Sequence, residues 1–295
     1  MLSVLITREL KSLLLRPRFL AILTTTVGLI SAATALGIQE YHHDTSSVAR
    51  SVELNKETLR LQGNWMGAGW AKVFRAPSPL RIFVIGLDDD IGRSERLEQR
   101  GTTSLTDPKL AEEPVFALFR PIDVTFVLLY VISLLAIVLS FDAVCGEKER
   151  GTLRLVLSNA IPRTTFVFAK FVSMWLALFF PLLLAFLLGA LLTTLNAIPF
   201  STTDWVCFSA LFGISVLYVT VFLSIGLFVS SVVHRPSDSF MILLVIWVAA
   251  VLVIPKVATV AASKTANVAT ISEVSSEAQT FWRNQQNEIL IRRNA

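Results

Sequence analysis

Charge is scarce in this chain. Asp, Glu, Lys and Arg make up 16% of its 295 residues, where a soluble domain carries about 25%. The shortage is local. Residues 19–38, 124–141, 171–203, 205–233 and 239–255 contain no charged side chain at all. Ion-coupled carriers and proton pumps place ionisable groups inside their membrane spans, so their absence from these runs argues against that class. Cysteine is nearly missing too. Cys145 and Cys207 fall near opposite membrane faces on the topology below, which rules out an intrachain bridge. Three histidines, two of them adjacent, give no basis for a nucleophile–base pair or a metallohydrolase site. No G-x-x-x-x-G-K-[ST] occurs, so the chain has no phosphate-binding loop of that kind. The net charge of +4 is spread out and does not form the basic patch of a nucleic-acid binder.

What fills the space is apolar: 54% of residues are hydrophobic and the mean hydropathy is +0.64. About 20 apolar residues cross roughly 30 Å of hydrocarbon. In that medium each backbone N–H and C=O must be paired within its own segment, which makes such runs helices. The expected fold is therefore an all-α polytopic membrane protein with five spans. A cleavable signal peptide is disfavoured, because the first apolar run is a full span long and the basic region before it is itself apolar-patterned.

Lys and Arg favour the cytoplasmic side of short loops. Arg8, Lys11, Arg16 and Arg18 precede the first run, Lys148, Arg150, Arg154, Arg163 and Lys170 lie between the second and third, and His234 and Arg235 between the fourth and fifth. This places the N-terminus inside. The resulting plan is a cytoplasmic interfacial helix at 1–18, span 1 at 19–38 and an extracytoplasmic segment at 39–123. Span 2 follows at 124–141, a cytoplasmic segment at 142–167, span 3 at 168–191 with Pro181 as a kink, and an outer turn at 192–204. Span 4 at 205–233, a cytoplasmic link at 234–238, span 5 at 239–255 and an outer tail at 256–295 complete it. Leu2, Leu5, Ile6, Leu10, Leu13 and Leu14 recur at helical spacing opposite Ser3, Thr7, Arg8 and Lys11, the pattern of a helix lying in the membrane plane. Pro17 breaks it from span 1. In the outer segment, 54–61 reads as helix, 80–85 as a strand or interfacial segment, Asp88, Asp89 and Asp90 as a turn, and 115–119 as lying on the outer leaflet.

The polar stretch after span 2 carries the mechanism. Glu147, Lys148, Glu149, Gly151, Thr152 and Leu153 resemble the E-K/R-E-x-G-T-L segment of permease subunits of ATP-binding-cassette (ABC) transporters, type-2 exporter class. Leu157-Ser158-Asn159-Ala160-Ile161-Pro162-Arg163 is similar to that family's L-S-x-P-[IV]-S-R, with the Pro displaced to 162, and Lys170 matches its Lys at the start of the third span. The long outer segment resembles a subgroup with enlarged extracellular loops. The resemblance implies that 147–157 forms the coupling helix, with Glu147, Lys148, Glu149, Arg150, Gly151, Thr152, Leu153, Val156 and Leu157 as its contact residues. It implies a partner ABC ATPase that binds ATP and Mg, a second permease subunit in a homo- or heterodimer, the lipid bilayer as surroundings, no cofactor in this chain, and the inner membrane of a bacterium. The six-span pattern of the family gives the further expectation of a sixth span beyond Ala295. From the residues themselves, Gly151 suits a helix end, Thr152 a cap, and Leu153, Val156 and Leu157 an apolar ridge.

Other signals are weaker. His42 and His43 with Glu40 and Asp44 lack a third ligand at metal spacing and read as a solvated junction. Trp65 and Trp70 read as an interfacial patch. Two functions fit the topology: a permease subunit of an ATP-driven exporter, which is not itself an enzyme, or a membrane-anchored scaffold or sensor whose outer segments bind a partner. The 147–157 segment favours the first.

Overall fold

The structure, a computed structural model, describes residues 2–61, 70–86, 94–98, 105–106, 123–153, 158, 162–265, 276–277, 280–281 and 283–284. The readings made for 88–90, 115–119, Trp65, Val156 and Leu157 fall outside these residues. Contacts divide the chain into two units. The first holds residues 1–40, 79–84 and 122–255, and the second holds 41–78, 85–121 and 256–295.

Five helices are long and apolar enough to cross a membrane: Pro17–Thr58, Val124–Glu149, Arg163–Leu195, Thr202–Val232 and Pro236–Ala262. They correspond one for one to the charge-free runs. Before them, α1 (Leu2–Leu14) is the amphipathic helix anticipated from the leucine spacing. Pro17 is the first residue of α2 (Pro17–Leu61), where its missing N–H costs nothing and its fixed φ suits a helix start. The proline therefore separates two helices by starting the second.

The second span, α3, joins Val124–Phe126, a wide π turn at Val127–Ile132 and Ser133–Ser140. Asp123 caps it by accepting from Phe126 N at 2.7 Å. Within the π turn the Ser133 N–H reaches back to Leu128 O, one carbonyl further than in an α-helix. That releases Leu129 O, which accepts instead from the Ser133 hydroxyl and from Tyr218 Oη. After a turn at 141–144 the chain makes the short α4 (Cys145–Glu149). Three further helices complete the first unit: α5 (Arg163–Leu195) with Pro181 inside it, α6 (Thr202–Val232) and α7 (Pro236–Trp247). Ser201 and Asp204 close α6 with a reciprocal capping box. A second π stretch, Val248–Val253, follows α7 and leads into α8 (Ile254–Thr265). Trp247 Nε1 donates to Ser133 Oγ at 2.8 Å, tying the two wide turns together.

In this unit α1 packs on α5, and α6 contacts α3, α5 and α7. Close approach is enforced at Gly226 of α6, where any Cβ would collide with Ser140 of α3. Residues 80–85 are not a strand. Pro79–Ile82 forms a single 3-10 turn, and Ile82 and Phe83 are each 1% exposed. Gly37 of α2 admits the turn's backbone and Gly189 of α5 admits the Phe83 ring. The ring then packs on Phe208 at 4.6 Å between centroids. Arg81 is buried with it and pairs with Glu40 at 2.9 Å. A short apolar run does not reveal by periodicity whether it is strand or turn; here burial against the spans decided it.

The second unit contains the remainder of α2, which includes the helix anticipated at 54–61. It also contains a small antiparallel sheet of β1 (Trp70–Phe74), β2 (Ser94–Glu98) and β3 (Leu105–Thr106). Trp70 stands opposite Glu98 and Phe74 opposite Ser94, while Ser94 stands opposite Thr106. The spans are all-helical as expected; the sheet lies in the long segment after the first of them.

Candidate functional site

The motif after α3 sits where α1, α5 and α6 converge. Lys170, in the second turn of α5, is 7% exposed. Its ammonium pairs with Glu147 at 2.6 Å and with Glu9 of α1 at 3.3 Å. Ser173, one turn further along α5, donates to Ile6 O of α1 at 3.2 Å. One buried cation thus joins α1, α4 and α5. Two carboxylates around a single ammonium compensate its desolvation more fully than a single partner would. The second carboxylate oxygen of Glu147, Oε2, is buried without a hydrogen-bond partner among the described residues.

The other side of α4 is fastened to α6. Ser230 Oγ accepts from Val144 N at 3.0 Å and from Cys145 N at 3.2 Å. These are N-terminal donors of α4 that no earlier helical turn satisfies. Lys148 Nζ donates to Ser231 O and Val233 O, carbonyls at the C-terminal end of α6, where a cation is favoured by the helix dipole. Asp142, in the turn before α4, pairs with Arg18 of α2 at 2.8 Å.

The residues singled out in the sequence therefore divide. Glu147 and Lys148 have partners inside the bundle. Glu149, Arg150 and Thr152 are exposed and Leu153 is half-buried. Arg150 Nε donates to Gly146 O at 2.9 Å. Gly151 has φ +72°, a left-handed conformation that glycine adopts without Cβ strain, so it ends α4 as the sequence suggested. Thr152 is already helical, and its hydroxyl donates back to Glu147 O at 3.3 Å. Glu9 counts in the sequence only as the one acid among the basic residues before the first span, and Ser230 has no assigned role there. Their only signal was a lone acid on a basic helix and a serine in an apolar one. Among the described residues no cluster of three metal-ligating side chains occurs.

A bundle of apolar helices with the Glu9–Lys170–Glu147 ion pairs at one end, around the segment between the second and third spans, defines a polytopic membrane protein. The comparisons give the family. The profile described as "ABC-2 family transporter protein" matches residues 11–290, and the chain belongs to that family. It is also 31% identical over 126 residues to the "Probable ABC transporter permease protein NosY" of Stutzerimonas stutzeri. That match covers 42% of this chain and 45% of the relative, so it spans less than half of either.

Proposed function

We propose that the chain is the transmembrane subunit of an ATP-driven exporter, with residues 147–157 coupling it to a separate ABC ATPase that binds ATP and Mg. It works paired with a second permease subunit, in a bacterial inner membrane with its N-terminus cytoplasmic. The observation that carries this reading is the fastening of α4. Glu147 ties it to α5 and α1, and Lys148 and Ser230 tie it to α6. A push on a loop held only by its covalent ends would be absorbed locally. A push on α4 would move three helices with it. The name of the relative and the resemblance of the motif support the same reading. The alternative of a scaffold or sensor gives no role to this fastening.

The test is recovery of the ATPase with the purified protein. Wild type, Leu153→Asp and an outer-segment control, Asp89→Ala, are compared. Burial of one Leu against a partner stabilises by about 1.5–3 kcal/mol, so its loss weakens docking by roughly tenfold to a hundredfold. An unpaired carboxylate in the groove adds to that. Leu153→Asp is expected to lose the ATPase while the control keeps it, both inserting normally. Equal recovery and equal ATP turnover in all three would favour the scaffold.

A further inference from the structure

A cleft of about 440 Å³ opens where three spans end. Pro17, at the start of α2, Phe141, just past α3, and Pro236, at the start of α7, all line it. Each of these residues stands where an apolar run begins or ends, so the cleft lies at the depth of lipid headgroups, beside the in-plane helix α1. Its charges are Arg16, Arg18 and Arg150 against Asp142 and Glu149. Asp142 is engaged by Arg18 at 2.8 Å. Neither Arg16 nor Arg150 has a carboxylate within ion-pair distance among the described residues. Arg150 is steadied by its own bond to Gly146 O. The Arg18 guanidinium lies 5.8 Å from the Phe141 ring centroid, which leaves an apolar wall next to the cations.

We propose that this cleft binds the headgroup phosphate of an anionic phospholipid. Guanidinium groups offer paired donors in the geometry of a phosphate's oxygens. Two of them without carboxylate partners, at headgroup depth and beside an aromatic wall, suit a phosphodiester whose acyl chains run down the bundle. A free phosphate shares the charge but gains nothing from the wall or the depth. Glu149 and Arg150 of the cleft also belong to the 147–157 segment, so lipid retention and ATPase recovery are read separately.

The protein is reconstituted in nanodiscs of equal phosphatidylglycerol and phosphatidylcholine, and the lipid retained on release is counted by native mass spectrometry. Each basic residue at a membrane surface contributes about 1 kcal/mol toward anionic lipid, a factor of roughly five. Arg16→Gln with Arg150→Gln is therefore expected to cut phosphatidylglycerol retention by roughly 25-fold. Arg8→Gln with Lys11→Gln makes the same charge change on exposed positions of α1 outside the cleft; with all variants measured in about 0.5 M salt, which screens an open surface field more than an enclosed site, it is expected to leave retention within about twofold. Asp142→Asn frees Arg18 and is expected to raise retention, a gain that misfolding does not produce. The proposal is overturned if the two double variants lose lipid equally, if phosphatidylcholine is retained as well as phosphatidylglycerol, if Asp142→Asn lowers retention, or if millimolar inorganic phosphate displaces the lipid. Loss of ATPase recovery with unchanged lipid retention in Arg16→Gln/Arg150→Gln would assign the cleft to a protein partner and overturn it as well.

Discussion

Lys170 holds one positive charge between two carboxylates in a setting that water barely reaches. Removing the charge is worse than removing the whole group of charges. Lys170→Met leaves Glu9 and Glu147 facing each other without compensation, and breaking a buried pair in this way costs about 3–5 kcal/mol. Converting all three, Lys170→Met with Glu9→Leu and Glu147→Leu, leaves no charge stranded and is expected to recover most of that loss. Denaturation of the detergent-solubilised protein measures both. A triple variant as unstable as the single one would mean that the ammonium acts by something other than balancing those two acids. Both partners of Lys170 were visible in the sequence only as charges. Residue 9 lies 161 positions away, and no spacing rule connects positions that far apart. The E-K-E-x-G-T-L pattern singled out the segment but did not say which of its charges turn inward.

At the scale of elements, the α3–α6 contact depends on Gly226 lacking a Cβ. Gly226→Ala is expected to destabilise by about 1–3 kcal/mol through overpacking, and Ser140→Gly in the same chain to relieve most of it, since Ser140 is the atom group in the way. The measurement is thermal unfolding of the two single variants and the double. Equal instability of Gly226→Ala with and without Ser140→Gly would place the strain elsewhere. Helices of this length were legible because lipid imposes one answer on a long uncharged run. The π turn at Val127–Ile132 was not, because Tyr218 and Trp247 come from other helices to bond Leu129 O and Ser133 Oγ there. The sheet of the second unit went unread as well. Its strands are two to five residues long, too short for an alternating pattern to stand out.

At the scale of the whole molecule, the proposed orientation rests on the Lys/Arg bias of short loops. Single cysteines introduced at position 90 and at position 149, in a background where Cys145 and Cys207 are replaced, test it. Position 90 is expected to react with an impermeant reagent added from outside, and position 149 only after permeabilisation. The reverse result would invert every span. The turn at Pro79–Ile82 also bears on how the chain is made. It must wait for its surroundings: Gly37 precedes it, but Gly189 and Phe208, which enclose Phe83, emerge from the ribosome more than a hundred residues later. Until α5 and α6 are in the bilayer, Phe83 has no complete seat. Its closure therefore follows the arrival of the third and fourth spans beside the first.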